Sequence, residues 1–252
     1  MNPNLKATIR ALRLSGLLNT LETRVQEASS NQLTHLEFLE LLLLDEANIR
    51  KERAMKRRFK SAGLPMKKSL VDFDFGFNDS INKRQIMDLA SCNFLRNLED
   101  VLFLGPPGVG KTHLASSIAL EAIRQNYAVL YRSIFDCVGE MMQAEALNEK
   151  PKLLRRYLKA DLLIIDDMGL KTLPKTAAEH LFEIIMRRHQ TRSTIMTSNR
   201  PVEEWGKLLG DVPTTSAILD RFLTSSTIIK ITGQSYRIKT KIGKDVAEND
   251  IN

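Results

Sequence analysis

Gly105-Pro106-Pro107-Gly108-Val109-Gly110-Lys111-Thr112 brings together glycines, one lysine and one hydroxyl at the spacing that holds a nucleotide's phosphates. Gly108 and Gly110 let backbone amides turn inward where side chains would obstruct them. Lys111 would reach the β- and γ-phosphates of ATP, and the Thr112 hydroxyl would ligate Mg2+. His113 opens the following helix, whose N-terminal dipole favours an anion, and completes the predicted nucleotide-binding set of residues 105–113. About fifty residues further on, the apolar run Leu162-Leu163-Ile164-Ile165 ends in Asp166-Asp167. Asp166 falls to the magnesium shell, and Asp167 to polarising the attacking water as general base. A third run, Thr194 to Thr197, leads into Ser198-Asn199-Arg200-Pro201. The Asn199 amide can hydrogen-bond the attacking water or the γ-phosphate; taken alone, it reads rather as the start of the Pro201 turn.

These groups need a scaffold that brings several strand ends together. Short apolar runs alternate with amphipathic helices at Val101–Leu104, Ala128–Tyr131, Leu162–Ile165, Thr194–Thr197 and Thr227–Ile231. That alternation predicts an α/β domain over residues 69–252, with a five-stranded parallel sheet covered on both faces. Two helices fit between Tyr131 and Leu162, the second carrying Arg155, Arg156 and Lys159. About twenty residues follow the last strand, too few for a C-terminal helical lid.

Residues 1–68 read instead as a small all-helical domain. Leu5, Ile9 and Leu12, then Leu17, Leu18, Leu21 and Val25, recur at helical spacing over 4–14 and 17–28, with Ser15-Gly16 weakening the helix between them. Thr34 and Glu37 form a capping box opening a helix with Leu36, Phe38, Leu39 and Leu41 to Leu44, expected as core. That helix should run on to a stop near Gly63-Leu64-Pro65, with a linker around residues 61–72.

Composition narrows the function classes. Hydrophobic residues at 43% and charged ones at 27% exclude a mostly disordered chain. Two cysteines preclude a disulfide framework, and the four scattered histidines show no ligand-pair spacing. No apolar run approaches a membrane span or a secretory signal, so the expected location is the cytoplasm. The net charge of +7 is uneven: residues 1–68 hold thirteen Lys/Arg against seven Asp/Glu. Arg50, Lys51, Arg53, Lys56, Arg57, Arg58 and Lys60 crowd around the single acid Glu52, a density suited to nucleic-acid phosphates or, more simply, to a solvated helix end.

The wording of several segments is more specific than any of these patterns. Leu-Leu-Ile-Ile-Asp-Asp-Met-Gly (162–169), Thr-Ser-Asn-Arg-Pro (197–201), Glu204-Trp205-Gly206, Ala217-Ile218-Leu219-Asp220-Arg221 and Gly233-Gln234-Ser235-Tyr236-Arg237 resemble the IstB family. So does the entry Leu70-Val71-Asp72-Phe73-Asp74-Phe75, and the likeness covers nearly the whole chain. IstB-like proteins are AAA+ helper ATPases of bacterial insertion sequences, related to the DnaC helicase loader and the DnaA initiator. The resemblance implies that Arg221 reaches a neighbouring subunit's γ-phosphate, in a homo-oligomer with ATP between subunits. It further implies duplex DNA bound without sequence specificity, and a cognate transposase stimulated as ATP is hydrolysed. Asp166-Asp167 departs from the Asp-Glu of most AAA+ enzymes, and the shorter base implies slow hydrolysis. The usual lid arginine has no evident counterpart; Arg237 could contact nucleotide, bind DNA or cap the fold. A DnaC-like helicase loader and a nucleotide-switched scaffold are the alternative functions.

Overall fold

The computed structural model describes residues 2–66, 68–170, 173–174 and 176–238. Residues 239–252 of the expected C-terminal domain, and Lys67 in the expected linker, lie outside the described residues. The chain divides into two compact units, Met1–Arg58 and Phe59–Asn252.

The first unit contains α1 (Pro3–Ala11), α2 (Ser15–Ser30) and most of α3 (His35–Ala62). Ser15 and Gly16 do not separate two helices, as their composition suggested; they form the first turn of α2. The cause is Glu46 of α3, whose carboxylate accepts from Gly16 N at 2.6 Å and Leu17 N at 3.0 Å, capping two orphan amides. The approach requires glycine: a Cβ at Gly16 would sit 3.0 Å from Glu46 Cα and 3.1 Å from Ile49 Cβ. Arg24 of α2 clasps Asp45 of α3 through two hydrogen bonds of 2.9 Å. The Thr34–Glu37 capping box is present, with Glu37 N donating to Thr34 Oγ1 at 3.3 Å and Thr34 N to Glu37 Oε2 at 2.8 Å. Ile9, Leu17, Leu21 and Leu42 form this unit's core. The expectation that all the α3 leucines are core needs correction, because Leu36, Leu39, Leu43 and Leu44 are exposed. A long helix packed along one stripe by short partners leaves its other faces uncovered.

The second unit holds β1 (Asp100–Leu104), β2 (Val129–Ser133), β3 (Leu162–Met168), β4 (Ser193–Ser198) and β5 (Ser226–Lys230) in the order β2-β3-β4-β1-β5, all parallel. Alternate residues face opposite sides: Val101 and Phe103 join one core, Leu102 the other. The first core packs α4 (Lys83–Ala90), α5 (Asn93–Arg96) and α6 (Lys111–Arg124); the second packs α7 (Ile134–Ala146), α8 (Lys150–Lys159), α9 (Ala177–Arg188), α10 (Trp205–Leu209) and α11 (Val212–Thr224). The two helices expected between the second and third strands are α7 and α8. No helical lid follows β5 among the described residues. No helix among them is long and apolar enough to cross a membrane.

Two substitutions test the first unit's packing. Gly16→Ala should destabilise it by about 1–3 kcal/mol, the usual cost of overpacking, measured by chemical denaturation. The Arg24 guanidinium holds the Asp45 carboxyl down at about 2, below its usual 3.8. A depressed native pKa contributes stability above 3.8 that disappears as pH falls through 2. Asp45→Asn should therefore be less stable than the parent at pH 7, with the gap closing between pH 4 and 2.

Candidate nucleotide site

Parallel strands gather their carboxyl ends on one edge of the sheet, and the loops leaving β1, β3 and β4 meet there. Residues 105–110 leave β1 and enter α6, with Gly108 at φ +83° and Gly110 at φ +103°, conformations that favour glycine. The loop is also tightly enclosed. A Cβ at Gly105 would overlap Ile231 O, one at Gly108 would overlap Ser235 Oγ, and one at Gly110 would lie 2.7 Å from the Phe73 ring. Tyr236 N donates to Gly108 O at 3.0 Å, so the segment after β5 runs against the loop. That segment is anchored by Asn78 Nδ2 donating to Thr232 O at 2.6 Å and by the edge-on Phe77–Tyr236 pair.

Lys111 is buried, with Nζ donating to Gly105 O at 2.7 Å and Pro106 O at 2.8 Å. Burial lowers its pKa, and the negative charges of Asp166 and Asp167 oppose that shift. Thr112 is half-buried in the first turn of α6. The His113 side chain turns toward the entry segment instead, with Nε2 3.2 Å from Ser69 O and its ring edge-on to Phe73. Its place in the nucleotide set thus rests on its backbone amide.

Asp166 and Asp167 do not follow the end of β3; both lie within it, at a break in register between Ile165 and Met168. Asp167 takes φ +65°, unusual for a side chain other than glycine, and its amide donates to Thr197 Oγ1 at 3.2 Å. The bulge places two consecutive carboxylates in different surroundings. Asp166 is fully buried and receives hydrogen bonds from the Tyr131 and Thr197 hydroxyls. Asp167 is half-buried, and burial together with Asp166 raises its pKa while Lys111 and Arg237 pull it down. Arg237 also acts electrostatically on Lys111, so its charge lies within reach of this group.

Asn199 follows β4, held by its amide to Met168 O at 3.1 Å. Its side-chain Oδ1 is buried with no hydrogen-bond partner among the described residues, an acceptor without a donor. Gly169, at φ +97°, leaves it room: a Cβ there would be 2.6 Å from Oδ1.

The structure thus brings Lys111 near Asp166 and Asp167, and the backbone of Gly105 against Ser198, next to Asn199. It does not bring Arg221 to them within one chain. Arg221 lies on α11, half-exposed, paired with Asp220 at 2.5 Å. Among the predicted DNA contacts, Arg50 is paired with Glu46, Arg53 with Ser15 Oγ and Lys56 with Glu52, while Lys51, Arg57 and Lys60 are exposed. Lys152, Arg155, Arg156 and Lys159 recur at i, i+3, i+4 and i+7 on α8 and line a groove of about 450 Å³ beside Ala128–Leu130.

Positive-φ glycines leading into the α6 N-terminus and a buried lysine near two carboxylates fit a nucleoside triphosphate, and the unpaired Asn199 oxygen fits a water beside it. No group of three or more His, Cys, Asp or Glu among the described residues could hold a metal. A hydroxyl and one carboxylate, with phosphate and water completing the shell, is the donor set Mg2+ accepts. Sequence reasoning missed the hydroxyls of Tyr131 and Thr197, since nothing local distinguishes them from other strand residues.

A family model described as IstB-like ATP binding protein matches residues 7–243. The chain belongs to this IstB-like family. It is 37% identical over 223 residues to the ATP-binding protein of insertion sequence IS5376 from Geobacillus stearothermophilus, covering 88% of this chain and 89% of that one. It is 35% identical to the IS21 ATP-binding protein of Pseudomonas aeruginosa, covering 94% and 89%. In structure this IstB-like chain resembles the DnaC helicase loader (TM-score 0.53, 21% identity, 70% of this chain and 99% of that one). It also resembles AMPPCP-bound DnaA from Aquifex aeolicus (TM-score 0.58, 23% identity, 72% and 56%). The α/β fold with a five-stranded parallel sheet expected from the sequence is therefore the fold observed, and it is shared with these structures.

Glycine substitutions separate the loop's constraints from general helix effects. Gly105→Ala should lower stability by about 1–3 kcal/mol through overpacking against Ile231, and weaken ATP binding. Gly139→Ala on α7 meets nothing within 4 Å and should be neutral or stabilising by about 0.5–1 kcal/mol, both read by thermal melting and nucleotide titration.

Proposed function

We propose that this IstB-like chain is an Mg2+-dependent ATPase that assembles on duplex DNA without sequence preference, presents that DNA to its cognate transposase and stimulates it. Hydrolysis then drives turnover of the assembly. The observation that supports the reading is the buried Lys111 within electrostatic reach of Asp166 and Asp167, beside a loop whose Gly105 amide donates to Ser198 O at 3.1 Å, one residue before Asn199.

Magnesium-bound ATP, when present, supplies the transferable phosphoryl group and neutralises part of its charge. The amides of residues 108–113 and the α6 dipole bind phosphate oxygens, and Lys111 exchanges the Gly105 and Pro106 carbonyls for them. Thr112 and Asp166 hold the metal's side of the site. Asp167 takes a proton from water at its carboxylate, and burial, by raising its pKa, makes it a stronger base than a solvated aspartate. Asn199 Oδ1 accepts a hydrogen bond from that same water and orients it. Arg237, whose charge acts on both Lys111 and Asp167, supports phosphate binding within the subunit.

Arg221 acts in the neighbouring subunit. Its exposure on α11 supports this, because a residue serving its own site would face inward. On DNA, the basic end of α3 and the α8 stripe neutralise phosphates, and no helix-turn-helix or other base-reading motif accompanies them.

Asp167→Asn should assemble on duplex DNA with ATP yet lose about 10²–10⁴-fold in hydrolysis, and so stall. Arg221→Ala should still bind ATP but lose cooperative assembly, as seen by particle imaging; a variant assembling normally would contradict the role given to Arg221. Replacing Lys51, Arg57 and Lys60 with glutamine should weaken binding to all duplex sequences alike. It should also flatten the log K against log salt slope by about 0.9 for each phosphate no longer neutralised.

A further inference from the structure

Asp166 is fully buried, and both of its carboxylate oxygens are engaged: Tyr131 donates to Oδ2 and Thr197 to Oδ1. The donors come from the two strands flanking β3. Tyr131 on β2 is paired with Ile164 and reaches diagonally along the sheet to Asp166. Thr197 on β4 follows Met196, the partner of Ile165. A carboxylate held at both oxygens from opposite sides cannot turn about its Cβ–Cγ bond, so its remaining lone pairs are presented in one direction. We propose that Tyr131 and Thr197 are positioning residues for magnesium, fixing the Asp166 carboxylate before the metal arrives. The inference rests on Asp166 belonging to the magnesium shell.

The two hydroxyls are not equivalent. Thr197 Oγ1 also accepts the Asp167 amide at 3.2 Å, so it bears on the metal-side carboxylate and on the general base together. Tyr131 touches Asp166 alone of the pair, and Arg132 steadies it by donating to Tyr131 O at 2.6 Å while pairing with Glu140 of α7 at 2.7 Å. Loss of the tyrosine hydroxyl should therefore affect metal dependence, whereas loss of the threonine hydroxyl should affect metal dependence and turnover together.

The test uses the full chain and a fluorescent ATP analogue, titrated at fixed nucleotide with increasing Mg2+ and again in EDTA. Tyr131→Phe and Thr197→Val should each raise the Mg2+ concentration for half-maximal binding by about tenfold, leaving binding in EDTA unchanged. Thr197→Ser, which keeps the hydroxyl, should restore the parent value. In hydrolysis, Thr197→Val should lower kcat more than Tyr131→Phe does. An unchanged Mg2+ midpoint in both variants overturns the proposal, as does a Thr197→Ser variant that behaves like Thr197→Val, since methyl packing would then be the cause. Asp166→Asn separates this failure from failure of the site itself. If the parent needs Mg2+ and Asp166→Asn alters that need while the hydroxyl variants do not, the positioning role fails. If Asp166→Asn leaves Mg2+ dependence untouched, the metal assignment fails with it.

Discussion

A carboxylate with no exposed surface organises the second unit. Burying Asp166 among apolar strands costs several kcal/mol unless hydrogen bonds and an opposite charge offset it. Two hydroxyls from neighbouring strands and the ammonium of Lys111 supply that compensation. Lys111 is itself buried, and the negative charges of the two aspartates oppose the cost of that burial. Each charge makes the other tolerable, and the place where they meet is where a nucleotide's phosphates and their metal would enter. The same low-dielectric setting that makes these charges costly makes them effective on a bound anion.

Backbone geometry then sets which side chain does what. The register break in β3 puts Asp167 at positive φ, so the two adjacent acids do not simply alternate across the sheet. Asp166 is held in the interior, and Asp167 remains half-open near Arg237. Among the described residues, the segment following β5 runs along the phosphate loop and is tied to the entry segment through Asn78, Ser80 and Phe77.

Much of this was legible in the sequence because the signals are local. Glycine spacing, a lysine and a hydroxyl identify a phosphate loop, and alternating apolar runs identify a parallel sheet. The Thr34–Glu37 capping box was equally visible. What was not legible depends on which strands lie side by side. Tyr131 meets Asp166 only because β2 pairs with β3 in one register, and Gly16 opens rather than interrupts a helix only because Glu46, thirty residues away, caps it.

The central claim is that nucleotide governs assembly on duplex DNA. The most direct measurement is binding to duplex and single-stranded DNA of arbitrary sequence, with ATP, with ADP and without nucleotide, followed by imaging of the particles formed. Cooperative assembly on duplex that requires ATP, and is insensitive to sequence, is the result predicted. A preference for single strands, or binding to duplex indifferent to nucleotide, would contradict it.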